Sequence, residues 1–172
     1  MSLLDRATIA KALSLLNEQL AATNHRADLF LVGGAVMCLV YEARPATNDV
    51  DGWFTEPTEV RRAARLVASE LGLSEDWLND AAKGFVPVNA GYEMWRALSH
   101  LTISVVDSST LLAMKCAAAR TVEDAGDIRF LADRLGLASA AAVLRVVCSY
   151  IPEERLPVRT RLLLEEMFDE GP

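Results

Sequence analysis

Apolar residues recur at helical spacing from the start of the chain. Ile9, Leu13, Leu16 and Leu20 predict an amphipathic helix over residues 5–22. The run Asp28-Leu-Phe-Leu-Val32 that follows is short, mostly apolar and stopped by Gly33-Gly34, as in a buried strand entering a tight turn. A helix is expected over 35–43. It is broken at Arg44-Pro45, because proline disfavours helical backbone at the residue before it. From Thr47 to Phe54 polar and apolar residues alternate, which predicts a second strand with Thr47, Asp49 and Asp51 on one face and Val50 on the other. Val60, Ala64, Val67 and Leu71 mark the stripe of a further helix over 59–71.

The middle of the chain is less regular. Residues 75–83 read as a short helix, 85–88 as a strand, and 101–106 alternate as another strand. Ser108 or Ser109 is placed to cap a helix running through Arg120, and Asp124 to cap the next one, through Leu135 to Gly136. Two more helices are expected over 138–150 and 158–168, separated by Pro152 and Pro157. The pattern predicts an α/β (α+β) fold: a small mixed sheet with flanking helices over 1–106, and a helical C-terminal part over 107–172 packed on that core.

Composition narrows the function classes. With 172 residues, 52% of them hydrophobic, the chain can bury a sizeable core and is not a disordered or low-complexity polymer. No apolar run approaches the ~20 residues of a membrane helix, and Met1–Arg6 shows no basic stretch leading into an apolar one. A soluble, cytoplasmic protein without a membrane partner is expected. Seventeen Lys and Arg against 24 Asp and Glu leave a net charge of −7, which disfavours non-specific grip on nucleic acid or anionic lipid. The three cysteines (Cys38, Cys116 and Cys148) are widely spaced in apolar surroundings and read as buried free thiols. Two histidines, His25 and His100, are too few for a His-based metal centre and read as structural or exposed.

The sharpest chemical feature is Gly33-Gly34 after one strand and Asp49-Val50-Asp51 on the next. Aspartates at i and i+2 of a strand project from one face. Their like charges repel unless a cation lies between them, and hard oxygen ligands suit Mg²⁺ or Mn²⁺. Paired glycines beyond a strand let backbone N–H groups approach a phosphate with no Cβ in the way. Either signal alone is usually a solvated strand face or a plain turn. Together they describe a place for a metal-bound triphosphate.

In that combination the segment resembles the signature of the DNA polymerase β-like nucleotidyltransferases, a hydrophobic-Gly-Gly followed by Asp-hydrophobic-Asp. Here Val32-Gly33-Gly34 and Asp49-Val50-Asp51 are separated by 14 residues, slightly more than in the common form. The likeness continues downstream. Leu111-Leu-Ala-Met-Lys-Cys-Ala-Ala-Ala-Arg120, with Asp124 and Asp127-Ile-Arg-Phe-Leu131, is similar to the C-terminal signature of the AbiEii/MenT-type branch. Asp76-Trp-Leu-Asn-Asp80 resembles a small bacterial group within it. The branch consists commonly of toxins from toxin–antitoxin or phage-defence pairs.

The resemblance implies a nucleotidyltransferase core over 1–106 in which Asp49 and Asp51 bind two divalent ions for in-line transfer from an NTP, flanked by Thr47 and Asn48. It also implies a Lys–Asp pair near the nucleotide, mapped to Lys115 and Asp127. Lys115 stands out independently: one of three lysines against 14 arginines, it lies in an apolar helix on the face of Leu111 and Ala119. Its ammonium must snorkel outward or meet a buried partner, a triphosphate or Asp127. A third carboxylate is usual on a later strand. There, Thr102 and Ser104 stand where an acid is expected and Asp107 lies just past the end, so Asp80 is the preferred candidate.

The expected activity is metal-dependent transfer of an NMP to a hydroxyl acceptor, with a tRNA 3′ end or a protein hydroxyl as acceptor and a cognate antitoxin as partner. Two alternatives remain open: a small-molecule (aminoglycoside-like) nucleotidyltransferase, which the acidic balance also suits, and a catalytically inactive binding module with the same fold. Arg61, Arg62 and Arg65 read as a solvated basic face, as do Arg159 and Arg161. Trp53, Trp77 and Trp95 read as core.

Overall fold

The first helix begins where Asp5 caps it. The Asp5 carboxylate accepts a hydrogen bond from Thr8 N–H at 2.8 Å, and α1 (Arg6–Ala22) buries Ile9, Leu13, Leu16 and Leu20, the stripe that the spacing predicts. Hydrogen bonding to the side chain and backbone of Thr8 holds the Asp5 carboxyl below its ordinary value. This computed structural model describes residues 3–118 and 123–169, and its fold is α+β. Arg120, the expected end of one helix, and Ala119 lie outside the described residues.

Two sheets carry the strands. β1 (Leu4–Asp5) pairs antiparallel with β3 (Ala46–Thr47). The main sheet contains β2 (Ala27–Leu31), β4 (Val50–Phe54), β5 (Leu78–Asn79), β6 (Tyr92–Ala97) and β7 (Leu101–Val106), in the spatial order β5-β4-β2-β7-β6. β2 runs parallel to β7 and antiparallel to β4, while β4 is parallel to β5. On one face Leu29, Leu31, Val50, Leu101 and Ile103 are buried, as period-2 alternation requires. Helix α3 (Pro57–Leu71) buries Val60, Ala64 and Val67 and packs on α1.

Several expected elements differ. The helix after Gly33-Gly34, α2, spans Gly33–Leu39 and stops short of Ala43, and Glu42 beyond it takes a left-handed φ of 53°. The strand expected over 47–54 is two strands, with Asn48 and Asp49 between them. Residues 75–83 contain no α-helix: Leu78–Asn79 add to the sheet edge, and Ala81–Phe85 form a 3-10 turn. No strand forms over 85–88, because Phe85 and Val88 stand in solvent with no sheet neighbour. β6 has no predicted counterpart.

The chain divides into two compact units, the first running to Gly84 with Tyr92–Val106, the second comprising Phe85–Gly91 and everything from Asp107 on. The division differs from the expected boundary at 106 by the segment Phe85–Gly91. That segment is tied into the helical unit by Asn89 Nδ2, which donates to Ser149 O at 3.0 Å, and by Gly91 N–H, which donates to Thr110 Oγ1 at 3.2 Å. The helices there are α4 (Ser108–Ala118), α5 (Glu123–Arg134), α6 (Ala140–Cys148) and α7 (Val158–Asp169). Asp107, not Ser108 or Ser109, caps α4 by accepting from Thr110 N–H at 2.7 Å. Asp124 lies within α5 rather than capping it.

Candidate active site

The bend after β2 is fastened to β4 by Val32 N–H, which donates to Asp51 O at 2.9 Å. Gly33 follows with φ of +68°, a conformation that side-chain-bearing residues rarely adopt. A Cβ at Gly33 would lie 3.2 Å from Asp51 Oδ2, and one at Gly34 would lie 2.6 Å from Thr47 Oγ1. Arg44 Nη1 is 3.7 Å from the latter point. The fold thus gathers Gly33, Gly34, Thr47 and Asp51 at one bend in the first unit, with the Arg44 guanidinium beside them. Sequence reasoning read Arg44 only as the end of a helix.

Asp49 sits just before β4, half-buried, and its Oδ2 accepts from Asn79 Nδ2 at 3.1 Å. Asn48 is exposed. Asn79 ends β5 and Asp80 follows it, and their side chains reach different partners. Asn79 pairs in register with Asp51, whereas Asp80 Oδ2 is bound by Arg61 Nη2 at 2.7 Å. The residue that reaches Asp49 is therefore Asn79, the neighbour of the preferred third acid. Asp107 is engaged as a helix cap, and Thr102 and Ser104 are half-buried on β7.

Asp51 shares its face of the sheet with an aromatic group. Phe30 stacks on Trp53 with ring centroids 3.8 Å apart and planes 8° from parallel, and Trp53 Nε1 donates to Tyr92 Oη at 2.9 Å. Only Trp77 of the three tryptophans is core, whereas Trp53 and Trp95 are half-buried. The basic face on α3 is largely neutralised locally, Arg61 by Asp80 and Arg62 by Glu59 at 3.0 Å.

In the second unit Lys115 is 9% exposed, and its Nζ lies 2.9 Å from both Asp124 Oδ1 and Asp127 Oδ2. The two carboxylates stand three residues apart on α5, a spacing that puts them on one helical face. The ammonium has not snorkelled; it is held between buried acids. Cys38 and Cys116 are buried free thiols, but Cys148, in the last turn of α6, is exposed. Burial, with the Asp124 charge nearby, pushes the Cys116 thiol up to about 12.

Asp49 and Asp51 supply two hard carboxylates, and among the described residues no cluster of three or more His, Cys, Asp or Glu side chains forms a closed metal cage. Mg²⁺ commonly takes one or two carboxylates and completes its shell with water and substrate phosphates, so Asp51 at the glycine bend, with Asp49 two residues before it, fits that ion. No family model, curated protein or solved structure matches the chain. Among the described residues no helix is long and apolar enough to cross a membrane.

Proposed function

We propose that the chain is a metal-dependent nucleotidyltransferase that moves a nucleoside monophosphate from an NTP to a hydroxyl acceptor and releases pyrophosphate. The observation that carries this reading is the meeting of Gly33-Gly34 with Asp51 and Thr47 from the next strands, in a bend where a Cβ would be crowded at Gly33 and would clash at Gly34. Asp49 and Asp51 are the ligands for Mg²⁺ or Mn²⁺, which would neutralise the triphosphate and activate the attacking hydroxyl. The bare backbone at Gly33 and Gly34 receives phosphate oxygens, flanked by Thr47 and Asn48. The acceptor oxygen bonds to the α-phosphorus, the bond from that phosphorus to the bridging oxygen breaks, and pyrophosphate leaves with the electron pair. The hydroxyl proton passes to solvent. Lys115 and Asp127 enter as the resemblance implies, as a lysine and its orienting acid; Asp80, the candidate third acid, is paired with Arg61.

The same resemblance makes a tRNA 3′ end or a protein hydroxyl the first acceptor to try, with growth inhibition as the outcome and a small antitoxin as partner. The test incubates the purified protein with each labelled NTP, Mg²⁺ and total RNA or protein. Label transferred by the wild type and lost in Asp49→Ala supports the reading. No transfer to any acceptor, with D49A indistinguishable from wild type, overturns it.

One observation favours a second acceptor class. The sheet face that bears Asp51 also carries Asp28, Phe30, Trp53, Tyr92 and Met94, and no Lys or Arg of the strands points there by register. Carboxylates beside aromatic rings attract cations and repel polyphosphate backbones. A hydroxylated polycation of the amino-sugar kind suits that face, and including such acceptors in the assay separates the two.

A further inference from the structure

The segment Trp77–Asp80 has a structural use for each of its residues. Trp77 is buried; its Nε1 donates to Ala64 O of α3 at 2.9 Å, and its own carbonyl accepts from Val50 N–H at 2.7 Å. Leu78 is buried in register with Val50. At the other end Asp80 is bound to Arg61, also of α3, at 2.7 Å. Between these two anchors Asn79 gives Nδ2 to Asp49 Oδ2 at 3.1 Å, while its Oδ1 accepts from Ala81 N–H at 3.1 Å. A backbone N–H can be met only by the amide oxygen, so the NH₂ group must face Asp49.

We infer that Asn79 is the positioning residue for Asp49, a neutral donor fixed by β5 that aims one of the two carboxylates of the proposed metal site. The inference rests on the metal-site reading above. Carboxylates that ligate metals are themselves held by outer hydrogen bonds, and losing such a partner typically weakens metal affinity by about 10- to 100-fold. An amide suits this place better than a third acid. It occupies one oxygen of Asp49, leaves the other open to a cation, and adds no negative charge beside Asp49 and Asp51. The sequence offered Asn79 only as the neighbour of Asp80; their partners decide between them, Asp49 for Asn79 and Arg61 for Asp80.

The test is a titration of the metal-free protein with Mn²⁺ alone, followed by electron paramagnetic resonance of the free ion. Wild type, D49A, N79A and N79D are compared, with melting temperature as the check on folding. N79D keeps the size of the side chain and an acceptor for Ala81 N–H but removes the donor, so it serves if N79A fails to fold. The expected result is binding by wild type, loss in D49A, and a fall of about 10- to 100-fold in N79A and N79D at little-changed melting temperature. In the metal-free protein, D49A should also shift the side-chain amide resonances of Asn79, as loss of that contact requires; the fall in Mn²⁺ affinity at unchanged melting temperature is what a purely architectural role would not give. Wild-type affinity in N79A overturns the inference and leaves the Asp49–Asp51 site standing. Tighter binding by N79D would put position 79 at the ion itself and also overturn it. Absence of Mn²⁺ binding in the wild type overturns both readings.

Discussion

Thr47 Oγ1 stands 2.6 Å from the point where a Cβ on Gly34 would be. β1 fixes that position by pairing Leu4 with Thr47, so the hydroxyl cannot simply retreat with its backbone. The adjacent glycine is constrained differently: Gly33 needs its positive φ and also faces Asp51 Oδ2. One glycine is required by a neighbouring atom, the other by its own backbone.

That difference is measurable. Gly34→Ala should cost roughly 1–3 kcal/mol, the usual range for overpacking. Most of the cost should vanish in Thr47→Ala, because the next contact, Thr47 Cβ at 3.4 Å, is ordinary. Gly33→Ala should cost at least ~1–2 kcal/mol in either background, since its strain lies in φ. Urea unfolding of the four-member G34A/T47A cycle reads the coupling; strict additivity would show that the hydroxyl does not set the limit.

Lys115 offers a second quantitative expectation. Its ammonium lies between two acids that are each less than 5% exposed. Lys115→Met leaves both carboxylates in the interior without the ammonium between them, and should destabilise by about 3–5 kcal/mol. Adding D124N and D127N removes the remaining charge and should restore part of that loss. Chemical denaturation of the single and triple variants checks it. A single variant within experimental error of wild type would mean that the lysine is free to snorkel.

The legible parts of the fold were those with a strong period. Leu101–Val106 alternates cleanly because one face is buried, and the helix stripes from Ile9 to Leu20 and from Val60 to Val67 show for the same reason. Tyr92–Ala97 was not legible. It is an edge strand with no fully buried residue, and a bulge between Met94 and Arg96 breaks its alternation. Val86 and Val88 suggested a strand by composition, yet no neighbouring strand pairs with them. At the candidate site, the approach of Gly33 and Gly34 to Thr47 and Asp51 could be read from spacing. The partnership of Asn79 with Asp49 could not, because a two-residue strand has no period and its pairing is a tertiary choice.

The cysteines separate by exposure. Cys148 is exposed while Cys38 and Cys116 are buried, so iodoacetamide at neutral pH should label Cys148 alone in the folded protein. All three should react in denaturant. Mass spectrometry of the labelled peptides decides; labelling at Cys116 without unfolding would show that its helix opens locally.

Cys116 also gives the protein an alkaline limit. Its thiol is raised from 9.0 to about 12, first by burial and then by the Asp124 charge. Unfolded, the thiol loses its proton near the ordinary value; folded, it keeps it until much higher pH. Between those limits the unfolded state binds fewer protons, so stability falls as pH rises, by up to ~1.4 kcal/mol per pH unit. Below the ordinary thiol value the contribution is complete and flat. Cys116→Ala should lower stability by a constant amount at neutral pH, from the lost packing, and remove this slope. Urea midpoints of wild type and C116A, followed upward from pH 9.0, should therefore converge; parallel curves would mean that the thiolate is tolerated in the folded state.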